Sequence, residues 1–169
     1  MQALSPIAIG NVVVPNRVVR TAHGTHFGAG TISDELIAYH VERARGGVGL
    51  TILEIAAVHP TSPSSLCSFD DSIIPGYRRL VEAVRPHGMK LFQQLWHAGH
   101  NGVPLDGGPP WSSCDLPSPV LGVVPRPMSV AQIAEMVEAY AAAARRCREG
   151  GIDGVELHAS HGYLPQQFM

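Results

Sequence analysis

Apolar and polar positions along this chain change period in a regular order: a 3.6-residue stripe, a glycine break, then a short β-branched run ending in polar residues. Leu36, Ile37, Val41 and Ala44 share one helical face. Ser33 precedes it as an N-cap, Asp34 and Glu35 make an acidic first turn, and Gly46 and Gly47 stop it. A strand over 48–58 follows. A second unit begins near Asp71, carries Tyr77, Leu80, Val81 and Val84 on one face, stops at Gly88 and leads into a strand over 90–96. The third opens on Ser129 and Gln132 as a capping box, and its stripe is Ile133, Met136, Val137, Tyr140 and Ala144. Arg145, Arg146 and Arg148 sit near the negative end of that helix dipole, and Gly150 and Gly151 close it before a strand over 154–158. One more strand, over 17–22, follows Pro15.

Four strands separated by single helices imply parallel pairing through right-handed crossovers, so the chain is α/β. An open doubly wound sheet and a closed barrel both fit that alternation. A glycine-rich phosphate fingerprint is missing after the first strand, and Gly28-Ala29-Gly30 is a weak substitute. The stretch 99–128 holds Pro104, Pro109, Pro110, Pro117, Pro119, Pro125 and Pro127, which exclude regular helix and make it a long βα loop. Such a loop is either an active-site cover or a structural excursion over the rim.

Composition narrows the class. With 45% hydrophobic and 15% charged residues the chain has the balance of a soluble globular protein with a core to bury. A net charge of −2 without a basic run removes the electrostatic footprint of nucleic-acid or anionic-membrane binding, so a small-molecule substrate is the expected partner. No apolar stretch approaches the roughly 20 residues of a membrane span. Residues 1–16 lack both a basic start and a long apolar segment, and a cytoplasmic location is expected. Cys67, Cys114 and Cys147 are odd in number and far apart, which fits reduced thiols rather than a disulfide framework or a metal cluster.

The nine histidines are unevenly placed: His23, His26, His59, His97, His100, His158 and His161 all fall at or just past predicted strand ends, and only His40 and His87 lie in helices. In a parallel α/β protein those ends share one face, where barrel enzymes place their active sites. Any one of the seven reads equally as a hydrogen-bonded loop residue; together they point to a site. Imidazoles there can hold a substrate oxygen, move protons near neutral pH or ligate a metal. Three pairs, His23/His26, His97/His100 and His158/His161, share H-x-x-H spacing. None is H-E-x-x-H, and Glu54 is the one carboxylate well inside a strand end, so no metal site is assigned.

Three motifs then join: Asn16-Arg17-Val18-Val19 on the first strand, Gln94-Leu95-Trp96-His97-Ala98-Gly99 on the third, and His158-Ala159-Ser160-His161-Gly162-Tyr163-Leu164 on the fourth. In order and spacing they resemble the Old Yellow Enzyme family of NADH:flavin oxidoreductases over nearly the whole chain. Pro165-Gln166-Gln167-Phe168 is most similar to its 2,4-dienoyl-CoA reductase and trimethylamine dehydrogenase branch. The resemblance implies a (β/α)8 TIM barrel holding FMN, reduced by NADH or NADPH, that passes hydride to an alkene conjugated to a carbonyl. By position it implies that Ala22, His23 and Gly24 lie against the flavin, that Ile55 approaches it through its backbone, and that Gln94 bonds its pyrimidine end. It casts His158 and His161 as the pair that binds the substrate carbonyl oxygen, and Tyr163 as the proton donor to the α-carbon. The bland reading of Gln94 is a glutamine satisfying neighbouring backbone, and that of the other three a polar strand end over a packed aromatic.

The chain departs from the family at His100, where arginine is usual, and at Ala22-His23-Gly24, where proline or serine, methionine and then cysteine or threonine are common. A barrel of eight strands takes about 250 residues, and residues 1–169 account for four βα units, the N-terminal half. The expectation is therefore a truncated flavin barrel without the phosphate-binding loops after strands seven and eight, with the family's catalytic side chains but incomplete FMN binding and no assured activity as this fragment, unless completed by a second chain or self-association. An iron–sulfur cluster and FAD belong to it only if a further C-terminal region supplies them. Two alternatives remain at this point: a metal-dependent barrel hydrolase and a non-catalytic half-barrel that associates with another protein.

Overall fold

The structure, a computed structural model, describes residues 2–169. It begins with a hairpin the hydrophobic periodicity did not single out: β1 (Ile7–Ile9) pairs antiparallel with β2 (Val12–Val14), turning at Gly10 in the left-handed region (φ 58°). Gly-Asn between two β-branched runs is a hairpin signal, and it was there to be read. Then β3 (Val19–Arg20), α1 (Asp34–Arg45), β4 (Leu50–Ala57), β5 (Leu66–Cys67), α2 (Ile74–Val84) and β6 (Lys90–Trp96) follow in order. The rest is β7 (Trp111–Ser112), β8 (Arg126–Pro127), α3 (Val130–Glu149), β9 (Gly154–Leu157) and a short α4 (Leu164–Gln167).

The principal strands lie in the order β3-β4-β6-β9, all parallel, with β5 added beside the end of β4. Spatial order equal to chain order, with one helix per crossover, is the winding of a barrel; a doubly wound sheet would reverse direction at a switch point. The caps form as the sequence implies. Ser33 accepts the Leu36 N–H at 3.1 Å, Ser129 and Gln132 close a reciprocal capping box, and Gly88 stops its segment with φ 76°.

The core lies between sheet and helices, where Leu53, Leu91 and Leu95 meet Leu36, Tyr77, Leu80, Val84, Met136 and Cys147. Two positions correct the expected stripes. His40, on the buried face of α1, is only 1% exposed, whereas Val137 on α3 is 61% exposed. Val137 instead lines an open apolar groove of about 310 Å³ with Leu157, Leu164 and Phe168. On the other face of the sheet Ala57, Trp96 and Ala98 form a small second cluster with Ile55, Cys67, Phe69 and Tyr163 packed on it. The 99–128 connection is folded down rather than free: β7 pairs parallel with β8, and Trp111 is buried in the main core. Among the described residues no helix is long and apolar enough to cross a membrane.

Candidate active site

The end of β9 carries the densest cluster of reactive side chains. Ser160 accepts the Tyr163 N–H at 3.1 Å, and His161 and Gly162 between them have φ of 58° and 73°. Two successive left-handed residues are the signature of a type I′ turn, which folds His161 back toward the strand. His161 Nδ1 consequently lies 3.3 Å from His158 Nε2. The Tyr163 ring stands edge-on to the His158 ring at 4.7 Å between centroids and to Trp96 at 5.3 Å. The structure thus gathers His158, His161 and Tyr163 into one group.

Two ring nitrogens 3.3 Å apart are spaced so that one oxygen can lie within hydrogen-bond range of both. Burial, reinforced by the nearby His161, holds the His158 pKa below its ordinary value, so this imidazole is neutral at neutral pH. The Ser160 hydroxyl lies 3.4 Å from His158 Nδ1; donating there, it leaves the His158 proton on Nε2, the nitrogen that faces His161. Such a pair suits an oxygen on which negative charge develops.

Of the residues expected against a flavin, Ile55 on β4 and Gln94 on β6 lie next to this group, while Ala22, His23 and Gly24 follow β3 at the other edge of the sheet. Ala22 is half-buried and His23 and Gly24 are exposed, directly after β3. A β-carbon added at Gly24 would meet only the His26 Nε2, at 3.6 Å, so the backbone there is open to a close partner. Ile55 and Gln94 are half-buried, with Ile55 packed against the cluster that contains Tyr163. An open backbone floor, an apolar edge and an amide side chain fit the ring system of FMN. Gln94 Nε2 donates to Glu156 at 2.6 Å, which leaves its carbonyl oxygen for another donor.

Adjacent glutamines divide their work by strand alternation. Gln93 is fully buried on the helix side, where it donates to the Glu54 carbonyl at 2.6 Å and accepts from the Tyr77 hydroxyl at 3.1 Å. Pairing of β4 with β6 shifts register between Leu53 and Ala56, and this irregularity frees Glu54. Its carboxylate accepts from Ser65 Oγ at 2.7 Å, from the Thr25 backbone N–H at 2.6 Å and from the Thr25 hydroxyl. Burial raises its pKa, but the Ser65 and Thr25 hydrogen bonds outweigh that and the net shift is downward. Glu54 therefore pins the 22–25 segment to β4. Spacing alone marks Glu54 as a carboxylate inside a strand end and does not show this role, because Thr25 and Ser65 are remote from it in the chain.

Two of the seven rim histidines, His97 and His59, hold loops instead of facing a site. His97 is fully buried: Nδ1 accepts the Gly99 N–H at 3.0 Å, and Nε2 lies 2.8 Å from Thr61 Oγ1. Thr61 Oγ1 is also 2.8 Å from His59 Nδ1, and His59 Nε2 faces Glu135 at 3.2 Å. Desolvation, aided by His59, pushes the His97 pKa down to about 3. His97 and His59 are braces for the loops they start. Among the described residues no three His, Cys, Asp or Glu side chains converge as a metal site would require.

The NADH:flavin oxidoreductase / NADH oxidase family matches residues 3–169. This chain belongs to that family. It is 40% identical to an NADH oxidase of Thermoanaerobacter brockii over 95% of the chain and 26% of that protein. It is 32% identical to a multifunctional alkene reductase/demethylase of Caballeronia cordobensis, over 98% of the chain and 26% of that protein. Morphinone reductase in complex with tetrahydroNAD superposes with a TM-score of 0.90 at 27% identity, over 99% of this chain and 52% of that one. The parallel sheet described above therefore corresponds to about half of a flavin-oxidoreductase barrel, and the chain spans about a quarter to a half of the length of these relatives.

Proposed function

We propose that this chain carries the substrate-activating half of an FMN-dependent oxidoreductase that uses NADH or NADPH to reduce an alkene conjugated to a carbonyl. The observation that carries the reading is the 3.3 Å approach of His158 Nε2 and His161 Nδ1 beside Tyr163. FMN, seated along Ala22, His23, Gly24, Ile55 and Gln94, would supply hydride to the β-carbon. The two imidazoles hold the carbonyl oxygen and disperse the charge that collects on it as that carbon is reduced. The Tyr163 hydroxyl, on the same turn, gives a proton to the α-carbon. Trp96 and Ile55, packed in one cluster with Tyr163, give the site an apolar edge.

The branch containing 2,4-dienoyl-CoA reductase and trimethylamine dehydrogenase is supported by Pro165-Gln166-Gln167-Phe168 and by the 40% identity to an NADH oxidase of which this chain covers about a quarter. An iron–sulfur cluster and FAD would accompany a protein of that branch from sequence beyond these residues. The free edges of β3 and β9 are where the other strands of a barrel would add, from the same polypeptide or another. The test is to titrate FMN against the protein by flavin fluorescence and then follow NAD(P)H oxidation with and without cyclohex-2-enone. Quenched flavin with enone-dependent oxidation is expected once the strands that complete the barrel are present, with weak or no FMN binding by residues 1–169 alone. Bound zinc by elemental analysis would favour a hydrolase, and neither property would leave an association module.

A further inference from the structure

The motif Pro165-Gln166-Gln167-Phe168 takes no part in the chemistry above, yet both its glutamines grip the turn that carries His161. Gln166 Oε1 accepts the Gly162 N–H at 2.7 Å. Gln167 Nε2 donates to the Gly162 carbonyl at 2.5 Å and to the Ala98 carbonyl at 3.4 Å. Gln167 Oε1 accepts from the His100 N–H at 3.3 Å and from Ser112 Oγ at 2.9 Å, and its own carbonyl accepts from Ser113 Oγ. The amide fills the space that a side chain at Gly99 would take, so Gly99, at φ 62°, is kept bare for it.

His161 needs such a grip. A non-glycine residue at φ 58° is disfavoured by roughly 1–2 kcal/mol, and it persists only where its surroundings over-determine it. The turn's own Ser160–Tyr163 bond is common to many turns. What is particular here is that both backbone polar groups of Gly162, its N–H and its C=O, are claimed by side chains from the next helix.

We propose that Gln166 and Gln167 are positioning residues that aim the His158/His161 pair, with Gln167 also locking that turn to the start of the 99–128 loop. The inference rests on the proposed function for what the pair binds; the aiming itself is read without cofactor or substrate. The two glutamines use opposite polarity, and this makes the proposal specific. Gln166 acts on the turn only as an acceptor, so Gln166→Glu keeps its bond whereas Gln166→Ala loses it. Gln167 acts on the turn as a donor, so Gln167→Glu, ionised at neutral pH, loses what the glutamine supplies and places a carboxylate against two carbonyls.

The experiment is NMR on the isotopically labelled 169-residue chain, reading Gly162 amide exchange and the titration of the His158 ring. Gln166→Ala and Gln167→Glu are expected to accelerate Gly162 exchange by about tenfold or more and to move the His158 midpoint up toward the ordinary value. Gln166→Glu is expected to resemble the unsubstituted chain. If Gln167→Glu unfolds the chain, the exposed Gln166 pair decides alone. Equal behaviour of Gln166→Ala and Gln166→Glu, or unchanged Gly162 exchange in folded Gln167→Glu, overturns the proposal. Absence of enone-dependent turnover in the FMN-loaded, completed barrel alongside the expected NMR response would refute the proposed function and leave the positioning role standing.

Discussion

Two H-x-x-H pairs, His97/His100 after β6 and His158/His161 after β9, have identical spacing and opposite fates. In the first, Gly99 supplies the left-handed residue, His97 turns inward, and both its nitrogens are taken by Thr61 and the Gly99 N–H. In the second, His161 itself takes the left-handed conformation, the ring folds back on His158, and two nitrogens are left facing one another at the strand end. Spacing places imidazoles near a rim; whether they brace a loop or face one another is decided by the contacts each turn supplies, since His26 of the third pair shares the left-handed φ of 58°.

That contrast is broken most severely at the second pair. Replacing His158 and His161 together by alanine, or Tyr163 by phenylalanine, should lower enone-dependent turnover of the FMN-loaded enzyme by about 10²–10⁴-fold, with folding preserved by far-UV circular dichroism. At the first pair the loss is in stability. His97→Ala strands the buried Gly99 N–H, leaves Thr61 Oγ1 with His59 alone, opens a cavity, and should cost about 2–4 kcal/mol in urea unfolding.

Acid should find the same division. His97 and the buried His40 are held to about 3 and about 4, His97 chiefly by desolvation and His40 by desolvation and then by Arg20. Both are neutral when folded, whereas the unfolded chain takes up protons below about 6.5. Stability is therefore unaffected above that pH and falls as pH drops from about 6.5 toward 4, each group contributing a slope of up to about 1.4 kcal/mol per pH unit. Urea midpoints across that range, repeated for His40→Leu, should show the slope fall by one proton's share. A smaller effect of opposite sign is expected at the turn: His161→Gly relieves the left-handed strain and should raise stability by about 0.5–1 kcal/mol while turnover collapses. Smallest is Glu135→Ala, which removes a half-exposed partner of His59 and should change stability by about 0.5 kcal/mol or less.

Periodicity carried the sheet-and-helix order because burial on one face of each element is a local pattern, and Ser33, Ser129, Gln132 and Gly88 marked the ends through equally local capping chemistry. Motif spacing carried the grouping of His158, His161 and Tyr163 for the same reason: all three lie within six residues at the end of β9. What was not legible depends on contacts between distant segments. The inward rotation of His97 follows from Thr61, the anchoring role of Glu54 from Thr25 and Ser65, and the work of Gln167 from Ala98, His100 and Ser112. Val137 was misplaced because an apolar helical stripe does not say which of its residues a neighbouring element covers.

The central claim is that the β9 pair, and not the β6 pair, meets the substrate. It is tested most directly by comparing the KM and kcat for cyclohex-2-enone of the FMN-loaded protein with those of His161→Gly, a substitution that keeps the turn and removes one nitrogen of the pair. The account predicts a folded, equally or more stable protein whose turnover falls at least about a hundredfold. Unchanged enone turnover in His161→Gly would contradict it.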